Sequence, residues 1–275
     1  MILTPAEQKN SSLSDGTLTK ALRHLREAGF VILERALPLG WVDEMRVAFE
    51  EEGRRCDPPE DGRGGIAIRF EMPFLDPLAV ENPFGLQIIE AVLGTDIWSI
   101  FPYHTNTTWP GAGKQHIHRD TCHLFPELPY ALPPSLLIVH IPLVDFSDEN
   151  GSTEVWPGSH LITDSAPDSL ESKEIEERAL ALPSIRTNMP AGSVVVRDMR
   201  IWHRGMPNNT ETVRTMLSIV YFRQFHRYPD HLVNMGGIPA LVMDQLPPRA
   251  KSIYRYHPIK ESDSHTRENE DMAKD

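Results

Sequence analysis

KQHIHRDTCH, residues 114–123, gathers three histidines, an arginine and an aspartate into ten positions near the middle of the chain. If 114–120 is a strand, alternate side chains share a face. His116, His118 and Asp120 then project one way, and Ile117 and Arg119 the other. A metal ion needs ligands converging within a few ångströms, and an i, i+2 pair on a strand supplies two. The His-x-Asp pattern alone is weak, because three common polar residues recur by chance.

A third ligand has to come from elsewhere. In AGSVVVRDMRIWHRG, 191–205, an apolar strand leads through a charged turn to His203. Two histidines and one carboxylate cover one face of a metal and leave the other open, as in non-haem Fe(II) oxygenases. Taking His116 in place of Asp120 gives three histidines, a set that zinc accepts. Eleven residues past His203, Arg214 sits in TVRTMLSIVYF, 212–222. That run is apolar and β-branched, so it reads as a buried strand. A lone arginine there is costly unless paired. Its planar fork fits a carboxylate in bidentate fashion, either a protein acid or the far end of a dicarboxylic cosubstrate.

Outward from these segments the chain divides in two. Apolar spacing predicts helices at 15–27, capped by Asp15, at 38–55 and at 82–93. FVILE, 30–34, is a strand between the first two, and residues 1–14 are loose. Short strands follow at 96–101, 104–109, 114–120, 136–144, 151–155, 193–197, 201–203 and 213–222. Such spacing, with Gly, Pro and Asn between, indicates a sandwich or barrel. The class is α+β, in one domain of residues 1–260 with a disordered polar tail at 261–275.

The chain has 275 residues and a net charge of -12. An acidic surface argues against nucleic acid, whose phosphates require basic patches. No apolar run reaches the roughly 20 residues of a membrane span. Two cysteines form no framework and no metal motif. A cytoplasmic protein, monomeric or homodimeric, is expected, acting on a small molecule without nucleic-acid or membrane partners.

The ordered set now carries a resemblance. His118-x-Asp120, a distal His203 and Arg214 look like a 2-oxoglutarate-dependent Fe(II) dioxygenase. DFSDENGSTEVWPGSH, 145–160, resembles the Asn-Gly to Pro-Gly-Ser-His segment of the phytanoyl-CoA dioxygenase family, and AGSVVVRDMRIWHRG resembles its distal-histidine segment. The resemblance spans residues 18–225. It implies a double-stranded β-helix, a jelly-roll or cupin-like barrel buttressed by N-terminal helices. It implies that His118, Asp120 and His203 bind iron and that Arg214 holds the distal carboxylate of 2-oxoglutarate, with O2 as the oxidant. In the natural-product branch, a Gln before His-x-Asp and a Thr in the Asn-Gly segment contact the cosubstrate; Gln115 and Thr153 stand in comparable places. Strand alternation would put Gln115 opposite the metal face unless a bulge intervenes. Arg69 is a further candidate contact, and His116 a neighbour of metal or substrate.

Related halogenases resemble this pattern with Ala or Gly at the place of Asp120, so the carboxylate points to hydroxylation, or to desaturation or cyclisation. The reading is of a hydroxylase in specialised metabolism. Two others compete: a metal-free cupin-like binding protein, and a zinc hydrolase on the same barrel. The loop 56–66 and the segment 121–134 are expected to cover the pocket.

Overall fold

The computed structural model describes residues 1–101, 103–166, 168–226 and 237–260. The helices are α1 (Pro5–Asn10), α2 (Asp15–Ala28), α3 (Leu39–Gly53), α4 (Pro77–Val80), α5 (Pro83–Leu93), α6 (Lys173–Leu180), α7 (Ala240–Gln245) and α8 (Pro248–Ile253). The strands are β1 (Phe30–Leu33), β2 (Arg63–Gly64), β3 (Ile97–Ser99), β4 (His104–Thr108), β5 (Leu136–Pro142), β6 (Glu154–Val155), β7 (Ile185–Arg186), β8 (Val194–Asp198), β9 (His203–Arg204), β10 (Arg214–Arg223), β11 (Ile238–Pro239) and β12 (Ile259–Lys260).

A seven-stranded sheet runs β1-β8-β5-β10-β4-β2, with β3 also paired to β10. All its pairings are antiparallel. A second sheet has the order β7-β6-β9. The two stay separate in their strand ladders, so no hydrogen-bonded barrel closes among the described residues. Isolated bridges join His118 to His203 and Phe146 to Met189.

The large sheet is covered on both faces, which explains the unbroken apolar runs of its central strands. β5, LLIVHIP, is buried at every position. One face carries Leu137, Val139 and Ile141 of β5, Val194 and Val196 of β8, and Leu217, Ile219 and Tyr221 of β10. These join Leu25 of α2, Met45 and Phe49 of α3, and Ile88 and Ile89 of α5 in the main core. Each such aliphatic residue contributes about 1.5–3 kcal/mol by burial. Gly85 lets α5 approach closely, since a Cβ there would lie 3.1 Å from a Val139 methyl. The register places Val139 beside Val196 and Ile219. By alternation, the opposite face carries His140, Val195, Arg197, Arg214 and Met216. Those side chains line a cavity whose other wall includes Thr153, Val155 and His203 from the small-sheet region.

Several expectations need correction. Residues 1–14 are not loose. Thr4 and Glu7 form a capping box on α1, and Leu3 and Leu13 are buried. Helix α2 is capped by Ser14, whose hydroxyl accepts from Thr17 N, not by Asp15. The strand expected at 114–120 is absent, and only His118 pairs there. Gly111 and Gly113 precede it and a proline-rich segment follows, and no ladder extends from the single bridge. The expected tail at 261–275 lies outside the described residues. Among the described residues no helix is long and apolar enough to cross a membrane.

Candidate active site

His118 and His203 are tied by two backbone hydrogen bonds, His118 N to His203 O at 3.0 Å and His203 N to His118 O at 2.8 Å. Asp120 N donates to Met199 O at 2.8 Å, which anchors the third residue. The side chains then converge. Asp120 Oδ1 lies 3.6 Å from His203 Nε2 and 3.9 Å from His118 Nε2. One donor atom from each residue falls within 4.8 Å of the others.

The imidazoles are oriented from behind. His118 Nδ1 lies 2.9 Å from His116 O, and His203 Nδ1 lies 3.1 Å from Ile201 O. A carbonyl only accepts, so these contacts put the proton on each Nδ1; at His203 the guanidinium of Arg197, 3.3 Å from the same nitrogen, then stands as a charge and not as a hydrogen-bond donor to it. Each Nε2 then offers a lone pair, as a metal ligand must. Burial, then the Arg197 charge, lowers His203 to a pKa of about 3, so it stays neutral. Burial alone would raise the Asp120 carboxyl. Arg197, His203 and His118 outweigh it and hold the group well below the usual carboxylate range. Two imidazoles and one carboxylate with open space in front of them fit a divalent iron ion.

Arg214 opens β10 opposite Thr108. One NH2 hydrogen goes to Thr108 Oγ1, and the guanidinium lies 4.5 Å from the Phe146 ring centroid. Its Nε and NH1 are buried without a hydrogen-bond partner. No carboxylate pairs with Arg214 among the described residues. Arg63 shares the Thr108 hydroxyl through NH1 at 3.1 Å. Burial, then the charges of Arg63 and Arg186, lowers Arg214 to about 9, so it remains a cation at neutral pH. Three arginines thus concentrate positive charge inside an acidic protein.

Gln115 Oε1 accepts from Gly205 N at 2.8 Å. The irregular path of 114–120 turns Gln115 toward the cavity, where strand alternation would have turned it away. Any larger residue at position 205 would push the side-chain tips of Arg63 and Gln115 aside. A Cβ would fall 2.3 Å from Arg63 NH1 and 2.6 Å from Gln115 Oε1. Thr153 lines the same cavity, held by its carbonyl, which accepts from Thr187 N and Oγ1. This first cavity is about 170 Å³. A second, of about 650 Å³, adjoins it, and Asp120 lines both. The second is walled by Ile100, Leu124, Leu136, Met199, Val220 and Phe222, among others. Asp120 is its only carboxylate, and no arginine or lysine lines it among the described residues.

A family profile for phytanoyl-CoA dioxygenase matches residues 25–216. The chain belongs to the phytanoyl-CoA dioxygenase family. Dioxygenase af480 of Aspergillus fumigatus is 27% identical over 253 residues, covering 85% of this chain and 75% of the relative. Dioxygenase trt7 of Aspergillus terreus is 28% identical, covering 55% and 49%. The iron/alpha-ketoglutarate-dependent dioxygenase ausO of Aspergillus calidoustus is 27% identical, covering 60% and 53%. Among solved structures, the carbocyclase SnoK from nogalamycin biosynthesis aligns with a TM-score of 0.58 at 23% identity, covering 78% and 85%. The epimerase SnoN, solved with Fe3+, alpha ketoglutarate and nogalamycin RO, aligns at 0.62 and 19%, covering 76% and 84%. These likenesses agree with the expected mixed fold of helices and antiparallel sheets, and the iron and alpha-ketoglutarate in those names, with the oxygen a dioxygenase uses, agree with the expected cofactors.

Other residues divide between those read correctly and those misread or missed. His116 is exposed and outside the ligand group, which removes the three-histidine set. Arg69 pairs with Glu52 and Glu71 rather than reaching the cavity. Arg119 does face away, with Nε and NH2 donating to the carbonyls of Ser169, Ser165 and Ala166. His160 is buried and its Nε2 contacts Arg26 O, a structural role. Arg63 and Arg197 were not singled out by sequence, though both line the cavity.

Proposed function

We propose that the chain is an Fe(II)- and 2-oxoglutarate-dependent dioxygenase that hydroxylates a neutral small molecule in specialised metabolism. The observation that carries this reading is Arg214. A buried guanidinium with two unsatisfied nitrogens, Nε and NH1, is tolerated where a ligand supplies the missing acceptors. It lines the same small cavity as the His118, Asp120 and His203 group. The ligand that satisfies both ends has a chelating head and a carboxylate tail.

In this reading His118, Asp120 and His203 hold iron, and the bound iron supplies the oxygen activation that the side chains cannot. Arg214 receives the distal carboxylate of 2-oxoglutarate in bidentate fashion, and Thr153 lies alongside. Arg63 adds charge at the same end, and Gln115 fixes the Gly205 backbone beside it. Together these residues set the cosubstrate's orientation before oxygen arrives. The second cavity receives the substrate. Its apolar wall, with no arginine or lysine among the described residues, suits a neutral organic molecule better than a phosphorylated one. Asp120, on the boundary, brings the metal to the substrate's edge.

Anaerobic protein loaded with Fe(II) and 2-oxoglutarate is expected to show a weak visible charge-transfer band. Asp120→Ala is expected to abolish it. No band from the intact protein overturns the assignment. Hydroxylation itself is checked by a product heavier by one oxygen atom, formed together with succinate.

A further inference from the structure

Arg197 occupies the interior face of β8, where Val195 lies two residues before it. Its side chain is only 7% exposed. Its NH2 donates to Asp120 Oδ2 at 2.5 Å, and its ion pair among the described residues is with that carboxylate alone. NH1 lies 3.3 Å from His203 Nδ1, and NH2 lies 3.5 Å from His140 Nε2. Its strand neighbours are Phe30 and Ile138, which carry no charge. A permanent cation therefore stands directly behind two of the three convergent residues.

We propose that Arg197 is a positioning residue that makes metal binding depend on the anionic cosubstrate, an inference resting on the iron and 2-oxoglutarate reading. It ties up Oδ2 and leaves Oδ1, the oxygen nearer both imidazoles, to face the metal. Asp120 thus acts through one oxygen, and coordination positions stay open. Charge adds a second effect. The carboxylate contributes one negative charge, and Arg197 cancels it. A divalent ion entering alone keeps its full two positive charges in a partly buried site, where repulsion is poorly screened. Dianionic 2-oxoglutarate restores the balance. Metal and cosubstrate each raise the other's affinity, as reciprocal coupling requires.

The test uses Mn(II), an air-stable probe, titrated into the full chain with and without 2-oxoglutarate, with free Mn(II) read by EPR. Wild type is expected to bind Mn(II) weakly alone and more tightly with 2-oxoglutarate. Arg197→Met is expected to bind Mn(II) alone about tenfold more tightly, because a poorly screened positive charge beside the ion is removed, and to lose most of the gain from 2-oxoglutarate. Arg197→Lys keeps the charge and is expected to keep the coupling. If the methionine variant fails to fold, Arg197→Gln retains a hydrogen bond to Asp120 without charge and should behave as expected for methionine. A folded neutral variant whose Mn(II) affinity or coupling matches wild type overturns the proposal. Mn(II) binding in wild type without coupling overturns it too, while leaving the metal site standing. No Mn(II) binding in wild type overturns the iron reading itself.

Discussion

Two cavities meet at Asp120 and differ in almost everything else. The first is about 170 Å³ and is lined by Arg63, Arg197, Arg214 and three histidines. The second is about 650 Å³, and its carboxylate is the shared Asp120. Both are lined from one face of β10. Arg214 and Met216 line the first cavity, and Ser218, Val220 and Phe222 the second. A single strand with period-two alternation therefore serves two ligand chemistries, changing character partway along its length. Small, dianionic and chelating describes what the first cavity suits; larger and neutral describes the second.

The largest effect should come from Arg214→Met. Losing two charge-assisted hydrogen bonds is expected to raise the KM for 2-oxoglutarate about a hundredfold. The variant should not lose stability without cosubstrate, because it removes an unpaired buried cation. Wild type should gain thermal stability on adding 2-oxoglutarate with metal, and the variant should not. Initial rates and thermal melts check both halves. Equal KM values would erase the distinction between the cavities.

Filling the other cavity should do the reverse. Val220→Trp is expected to cut substrate oxidation at least about tenfold and to leave the Fe(II)–2-oxoglutarate band in place, at an overpacking cost of about 1–3 kcal/mol. Loss of the band together with turnover would mean that the two spaces are one.

The polar cavity was partly legible in the sequence, and the reasons are local. Arg214 stands out because an apolar, β-branched run surrounds it. His118 and Asp120 stand out by spacing. Arg197 hid in RDMR, a stretch that reads as a charged turn. In fact Asp198 pairs with Arg200 through three hydrogen bonds, which leaves Arg197 to turn inward. Alternation alone turns Gln115 away from the metal face, but 114–120 follows an irregular path that alternation cannot describe, and Gln115 lines the cavity. Helix α1 was readable from Thr4-Pro5-Ala6-Glu7, a capping box with proline at the first helical position. The second cavity was legible only in the segment 121–134, four of whose residues line it, because its other walls come from segments far apart in the chain.

The polar cavity should also make the metal-free fold sensitive to acid. His203 takes a proton near pH 6.5 when unfolded but only near pH 3 when folded. Between those values the unfolded chain binds the extra proton, so stability should fall as pH drops from about 6.5 toward 3. The lowered Asp120 carboxyl acts in the same direction below the ordinary carboxylate range. Thermal melts across this window, repeated on His203→Gln, should show a shallower slope for the variant. An identical slope would place the sensitivity outside the cavity.

The smallest expected effect separates orientation from charge within the first cavity. Thr153 contributes its carbonyl to Thr187, and that framework contact survives in Thr153→Val because the backbone is retained. The substitution preserves shape and deletes one hydroxyl. If that hydroxyl touches the cosubstrate, losing a neutral hydrogen bond of about 0.5–1.5 kcal/mol should raise the 2-oxoglutarate KM by roughly two- to tenfold, far less than Arg214→Met. Substrate KM and thermal stability should not move. An unchanged 2-oxoglutarate KM would make Thr153 a wall residue and leave orientation to Arg214 and the metal. A loss as large as that of Arg214→Met would mean that the hydroxyl, and not the buried cation, governs how the tail of the cosubstrate is held.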